Sequence, residues 1–379
     1  MPVVSKGLEG IVATTTRLSD VQGQQGVLIY AGYNINELAG KASFEEVAHL
    51  LWHGHLPNRH ELQDLGNNLR SRRELPQGVI DFIVNAPRTS QPMDVMRSAI
   101  SMLGLYDTDL EEDINVDANR RRALNITAKI GVIAAYFHRA RNGKSLPPVR
   151  EDLSEAAHFL YLITGEEPLP EAVKTLDVAY VLHADHGMNA STFSARVTIS
   201  TLSDMYSAIT SAIGTLKGPL HGGANEGVIH MLQEIGSEDN VDAWLDEQLA
   251  QKKKIMGIGH RVYKVLDPRA PHLREMAVKL CEKIGEPKWI RMSERIAAIM
   301  LEKKGLHANV DFYSATVYHS LGIPTDLFTP IFAISRAAGW TAHVLEQLGD
   351  NRLYRPLSEY NGPTDRKFTS IGNRRAAMI

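Results

Sequence analysis

A single cysteine, Cys281, rules out any intramolecular disulfide in this chain of 379 residues and suits a reducing compartment. Nor is there an apolar run long enough to cross a bilayer, the longest helical ones, such as 131–137, falling far short. The opening decapeptide has neither the apolar core of a signal peptide nor the Arg-rich amphipathic pattern of a transit peptide. A cytoplasmic location is therefore expected, with no membrane partner. Charge of one sign is missing as well: 41 Lys and Arg against 44 Asp and Glu leave a formal net charge of −3, which gives no global pull toward nucleic acid. Repeats, low-complexity tracts and long Pro/Ser linkers are absent, and so is the strand–helix alternation of a doubly wound sheet.

What is present is helical periodicity. Residues 44–53 follow Ser43, with Glu46 three positions on, and stop at Gly54, which is the pattern of a capping box and a glycine C-terminus. Residues 154–164 repeat the design, with Ser154 ahead and Gly165 behind. Further helices are expected at 188–201, 205–216 and from Ala224 to Gly236. Residues 330–348 are apolar over most of the helical circumference, as in a helix buried in a large core. Only residues 11–16 and 27–30 look strand-like. The fold class is mostly α, and the length allows two domains.

Three short stretches carry acid–base residues beside glycines or at a helix start: Gly218-Pro-Leu-His221-Gly-Gly-Ala-Asn225, Gly257-Ile-Gly-His260-Arg-Val-Tyr-Lys264 and Asn309-Val-Asp311-Phe-Tyr-Ser314. Ahead of a helix N-terminus, a positive charge on the His221 imidazole is disfavoured, and a neutral ring can still donate to a carbonyl oxygen that gains enolate character. From the motif alone, a packing role for His221 is as good a reading. Gly257 and Gly259 would let backbone approach a phosphate or an adenine, with Lys252, Lys253, Lys254, Arg261 and Lys264 nearby, although a lysine run is more often a solvated loop. Asp311 stands where an aspartate most often merely caps a helix. Arg336 interrupts the apolar helix, where an unpaired charge would be costly, so an anion should face it; Glu346 lies too far along the helix to share its face.

These motifs, in this order and spacing, closely resemble the citrate synthase family, and the resemblance runs from Ile29-Tyr-Ala-Gly-Tyr-Asn34 to Arg355-Pro356. It implies a mostly helical, two-domain fold: a large domain of residues 1–219 and 324–379, a smaller one of 220–323, and a cleft between them. It also implies an acyltransferase that condenses acetyl-CoA, oxaloacetate and water to citrate and CoA at the start of the tricarboxylic acid cycle. The catalytic residues would be His221, His260 and Asp311. Oxaloacetate would meet His186, Asn189, Arg269, Arg336 and Arg355, the last from a neighbouring subunit of a homodimer or higher oligomer. CoA would meet Ile255, Met256, Gly257, Ile258 and Gly259, with Arg261 and Lys264 on its phosphates. The thioester is a co-substrate; no permanently bound cofactor and no metal are implied.

The alternative is 2-methylcitrate synthase, using propionyl-CoA. Its members more often show Glu-His-Glu-Phe-Asn where this chain has Asp185-His-Gly-Met-Asn189, which leans toward citrate. A metal-dependent hydrolase or a non-catalytic helical scaffold are rivals of other classes. His183 and His186, three apart, could be misread as metal ligands, but no His-Glu-x-x-His occurs, and His49, His53 and His55 read as ordinary helix and turn residues.

Overall fold

The computed structural model of the chain describes residues 4–108 and 115–374. Two units are distinguished: Thr16–Leu353, and a smaller one made of Met1–Thr15 with Tyr354–Ile379. In the smaller unit the described residues are mostly exposed, with a single 3₁₀ turn at each end, Lys6–Leu8 and Ile371–Asn373.

The large unit is built from helices, and their ends follow the local chemistry. Phe44–His53 is closed by the reciprocal Ser43–Glu46 capping box and by Gly54 in the left-handed region at φ 81°. Glu155–Thr164 has the Ser154 cap and a left-handed Gly165. Ala190–Ser200 begins two residues later than its periodicity suggests, because the Asn189 side chain caps it. Met205–Leu216, capped by Asp204, and Ala224–Ile235 lie as expected.

The strand expectation needs one correction. Val27–Tyr30 is a strand, but residues 11–16 are not, and Ile11 and Val12 are exposed. Ser19–Gln22 pairs with Val27–Tyr30 instead, in the register Ser19 with Tyr30 and Gln22 with Val27, and Tyr33–Asn34 adds the third, antiparallel strand. The physical reason is the tight turn at Gly23–Gly26: it fixes register, so the strand partner must be the four residues just before it.

The remaining helices form two groups. The 26-residue Val116–Arg141 helix and the 22-residue Phe328–Gly349 helix pack on each other, flanked by Pro92–Leu103, Ala190–Ser200 and Met205–Leu216. Ala224–Ile235, Ala270–Lys283, Lys288–Lys304 and Val310–Ser320 pack chiefly among themselves. One contiguous apolar cluster runs through both groups, from Ile331 and Trp340 to Val228 and Phe312. Phe328–Gly349 is the innermost helix; Ile331, Ala337 and Trp340 have no exposed surface. Gly339 is required there, since a Cβ would collide with the Ala184 carbonyl and the Asp185 side chain. Among the described residues no helix is long and apolar enough to cross a membrane.

Candidate active site

His221 lies in the turn between Met205–Leu216 and Ala224–Ile235. Its Nε2 accepts from the Ser191 backbone N–H at 3.3 Å and sits 2.8 Å from the Ser191 hydroxyl, which in turn accepts the Trp340 indole N–H at 3.1 Å. With Nε2 an acceptor, the proton is on Nδ1, which is left to donate elsewhere. Burial, helped by the Arg336 charge, holds the His221 pKa down at about 4, so the ring is neutral at physiological pH.

His260 is fixed in the opposite tautomer. Its Nδ1 accepts from the backbone N–H groups of Val262 and Tyr263, both at 3.0 Å, so Nε2 carries the proton. Burial, with Arg269 adding to it, keeps its pKa at about 4. His186 stacks edge-on to it at 5.6 Å, and the His186 Nε2 meets the Tyr263 hydroxyl at 3.1 Å. Burial first, then Arg269 and Arg336, push the His186 pKa well down.

Asp311 does not cap its helix. Asn309 does: its Oδ1 accepts from the N–H groups of Asp311 at 3.0 Å and Phe312 at 3.3 Å. The Asp311 carboxylate, in the first turn of Val310–Ser320, is thereby released from the capping role that sequence alone favours. Burial pushes its pKa up to about 6, against the pull of Arg269 and Arg336. Asn309 also donates to the Gly259 carbonyl at 2.7 Å and, through its backbone N–H, to Gly257 at 2.9 Å; Gly259 N–H donates to His307. The loop holding His260 and the start of the Asp311 helix are thus tied into one piece, with Ile258 bridged to Ala308.

Two buried arginines supply the field. Arg269 is gripped bidentately by Asp267, at 3.0 and 2.8 Å. Arg336 is 1% exposed, donates through Nε to the His183 carbonyl at 2.6 Å and lies 4.7 Å over the Phe332 ring. Among the described residues no carboxylate lies within ion-pair distance of it, and Glu346, too far along the helix, pairs with Arg196. Burial lowers even its guanidinium pKa, to about 10, although Asp185 opposes this. The Arg336 charge acts on His183, His186, His221 and Asp311, and that of Arg269 on His183, His186, His260 and Asp311. Residues from three distant motifs therefore share one electropositive environment, with neutral donors and one carboxylate, suited to an anionic carbonyl compound.

A sequence profile described as "Citrate synthase, C-terminal domain" matches residues 7–357. The chain is 51% identical over 371 residues to "Citrate synthase 2" of Bacillus subtilis, covering 98% of this chain and 99% of that one. The crystal structure of citrate synthase from Pyrobaculum aerophilum superposes with a TM-score of 0.93 at 38% identity, over 98% of this chain and 95% of the other. The Thermoplasma acidophilum citrate synthase, solved as a ternary complex with carboxymethyl coenzyme A and oxaloacetate, superposes with a TM-score of 0.92 at 34% identity, over 99% and 100%. The chain belongs to the citrate synthase family. It is an enzyme of that family's acyltransferase type, and the fold of these relatives is all-α. Relatives named 2-methylcitrate synthase, from Corynebacterium glutamicum and Shewanella oneidensis, are 40–42% identical, more distant than the citrate synthases at 43–51%.

Not every residue that the citrate synthase resemblance singled out sits in this environment in the same way. The Asn189 carboxamide is engaged in its cap, accepting from Thr192 N–H at 3.1 Å and donating to the Thr192 hydroxyl at 3.0 Å. Ile255, Gly257 and Ile258 are buried, with Met256 and Gly259 half-buried, whereas Arg261 and Lys264 are exposed. A Cβ on Gly257 would lie 2.7 Å from Val228 and 2.9 Å from Phe312, and its φ is +73°, so only glycine fits there. Arg355 is exposed and belongs to the smaller unit. His49, His53 and His55 share no residue with that site but lie together.

Sequence reading missed the supports. Ser191 sets the His221 tautomer, Tyr263 packs against both His186 and His260, and Asp267 orients Arg269 while accepting the Val310 N–H at 3.1 Å. Asp185, inside a quoted motif, anchors its loop: it accepts from Ser19 at 2.5 Å and pairs with His343 at 3.2 Å, and its carbonyl accepts from the Tyr30 hydroxyl at 2.7 Å. Burial alone would raise the Asp185 pKa, but His343 and Arg336 outweigh it and hold it at about 2. The small sheet therefore serves the site: Ser19 and Tyr30 hold the His186 loop, and Gly23 accepts the Lys264 N–H at 2.9 Å from the His260 loop.

Proposed function

We propose that this enzyme condenses acetyl-CoA with oxaloacetate and water to give citrate and free CoA. The observation that carries this reading is the half-buried pair of neutral histidines with fixed, opposite tautomers, which share the charges of Arg269 and Arg336 with a carboxylate whose pKa is raised to about 6. Asp311 takes a proton from the acetyl methyl group. The Nδ1–H of His221 stabilises the resulting enol oxygen, where charge develops in a water-poor site. The Nε2–H of His260 polarises the oxaloacetate carbonyl, the enol carbon attacks it, and water then cleaves the citryl thioester to citrate and CoA. A weak carbon acid needs a base nearer neutrality than an ordinary aspartate, which the raised pKa provides.

Oxaloacetate carboxylates are assigned to Arg336 and Arg269, with His186 and Asn189 as further contacts. Arg336 is the strongest of these assignments, being buried with no carboxylate of its own. CoA is assigned to residues 255–259, with Arg261 and Lys264 toward its phosphates. The protein needs no metal for this chemistry. The cleft divides a large body, 1–219 and 324–379, from a small one, 220–323; residues 1–3, 109–114 and 375–379 of these ranges lie outside the described residues. In solution the enzyme is a cytoplasmic homodimer in which Arg355 reaches the partner's oxaloacetate. Mixing inactive Arg355→Ala and Asp311→Asn proteins, with subunit exchange demonstrated, should restore partial activity; no recovery would assign Arg355 to its own subunit or to no substrate role.

Thiol release with acetyl-CoA and with propionyl-CoA, each with and without oxaloacetate, tests the main reading. Release that needs oxaloacetate and favours acetyl-CoA is expected. One methylene in an apolar pocket is worth only about 1–3 kcal/mol, so some turnover of propionyl-CoA should remain. A clear preference for propionyl-CoA would instead make this a 2-methylcitrate synthase.

A further inference from the structure

We propose that the pocket between Phe44–His53 and Arg59–Arg70 binds a divalent transition-metal ion of the zinc type through His49, His55 and Glu61. One ring nitrogen from each histidine and one carboxylate oxygen of Glu61 all lie within 4.8 Å of one another. Among the described residues this is the sole group of three potential ligands drawn so close. They face a cavity of about 310 Å³, which His53, Asp64 and Arg120 also line.

Local structure prepares the ligands as metal sites require. Left-handed Gly54 turns the chain back on itself, so His55 returns beneath His49, and the two rings lie 5.0 Å apart, centre to centre. The Nδ1–H of His49 donates to the His55 carbonyl at 3.0 Å, which leaves Nε2 as the nitrogen open to a ligand. Donation of the second ring N–H to a backbone carbonyl is the usual way a metal-bound histidine is oriented. Glu61 is held in the same sense: its Oε2 accepts the Asn58 N–H at 2.8 Å in a capping box, leaving Oε1.

The contact between His55 and Glu61 carries the argument furthest. His55 Nε2 lies 3.3 Å from Glu61 Oε1 and its Nδ1 lies 3.4 Å from the His53 carbonyl, so with the ring proton on Nδ1 the Nε2 lone pair is aimed at the carboxylate. A proton on Nε2 makes the contact a hydrogen bond to the carboxylate, and a metal ion taking that proton's place would be held by the same two atoms. The separation is longer than the ~2.7–2.9 Å of a charge-assisted bond. It matches the edge of about 3.3–3.4 Å expected for a tetrahedron with zinc–ligand arms of ~2.0–2.1 Å. Two histidines, a carboxylate and a water make a common zinc donor set. Arg120, at the pocket, is paired with Asp117 at 3.2 Å, which offsets its repulsion of a cation.

An ion there would clip the two helices together, next to Trp52, whose indole N–H donates to Thr341 at 2.9 Å. The test is titration of chelator-dialysed protein with Co²⁺, read by its visible absorption and by calorimetry, followed by displacement with Zn²⁺. Stoichiometric binding and a raised thermal midpoint are expected. His55→Ala and Glu61→Gln, at partly exposed side chains, should each weaken binding by at least about 10–100-fold, the loss seen even for outer-sphere partners of a metal. Binding should survive in the His186→Gln/His260→Gln double variant, which removes the competing histidines of the active site. No uptake by the unaltered protein would overturn the assignment. So would uptake indifferent to His55→Ala and Glu61→Gln, or uptake abolished in the active-site double variant.

Discussion

Replacing Asp311 with asparagine should make the protein more stable and nearly inactive, and the stability gain should depend on pH in a defined direction. Burial pushes the Asp311 pKa up to about 6, against about 3.9 for an unfolded aspartate. A raised folded pKa means that the group carries no penalty below the unfolded value and its full penalty above the folded one. At about 1.4 kcal/mol for each pH unit between the two, ionised Asp311 costs the folded state about 3 kcal/mol at pH ~8 and about half of that at pH ~5. The larger figure is an upper bound, because solvent reaches part of the side chain. Asparagine is neutral throughout and does not disturb the helix cap, which Asn309 provides. Urea unfolding of both proteins should therefore show the variant ahead, by a margin that shrinks as pH falls from ~8 toward ~4. Thiol release by the same variant should drop by about 10²–10⁴, the usual loss for a general base. Equal urea midpoints at pH ~8, or a gap indifferent to pH, would refute the burial argument; near-normal turnover would remove Asp311 from the chemistry.

Other outcomes follow from the same geometry. The acid limb of the kcat/KM profile should fall through about pH 6 as Asp311 protonates, while His221 and His260, both near 4, add nothing above that; a profile flat down to pH ~5 would contradict this. Asn309→Ala should lose a cap and the Gly259 hydrogen bond, about 1 kcal/mol each, and Asn309→Ser should recover the cap alone; chemical denaturation distinguishes them. Arg336→Lys should raise the KM for oxaloacetate by about 10–100-fold, the worth of one charge-assisted bond, with the KM for acetyl-CoA measured alongside as the control. Asp267→Ala leaves Arg269 a buried, unpaired charge and should cost about 3–5 kcal/mol in stability, read as a lowered urea midpoint.

The parts of this protein that were legible in its sequence are those governed by neighbours a few residues apart. Ser43, Glu46 and Gly54 mark both ends of their helix, and Asn309-Val-Asp311 marks the start of another. Glycine-flanked histidines likewise announce close backbone approach. What stayed hidden depends on contacts across long sequence separations. Nothing near Ser191 says that it will meet His221, thirty residues away. Nothing near Ser19 or Tyr30 announces a hold on the 183–187 loop, more than 150 residues on. Residues 11–16 have strand composition without a strand, because the Gly23–Gly26 turn selects the partner of Val27–Tyr30 and composition does not. The Asp311 question was decided by which of two capping side chains, two residues apart, took the helix N–H groups, and Asn309 also had Gly259 to bind.

Consider again the innermost helix, Phe328–Gly349. Arg336 reaches the His183 carbonyl, Trp340 the Ser191 hydroxyl that serves His221, His343 the Asp185 carboxylate, and Gln347 the Arg196 guanidinium. The steps between them are four, three and four residues, which sets them along one stripe of a single rod. Positional errors at these points are consequently shared. Thermal sliding or rotation of the rod shifts the substrate clamp, the enol-side histidine and the loop anchor by correlated amounts, so their mutual spacing varies less than the position of any one of them. A lengthening by one residue anywhere between 336 and 347 would break that stripe, turning everything beyond it by about 100°. Substitutions on this face can be repaired one contact at a time; insertions cannot.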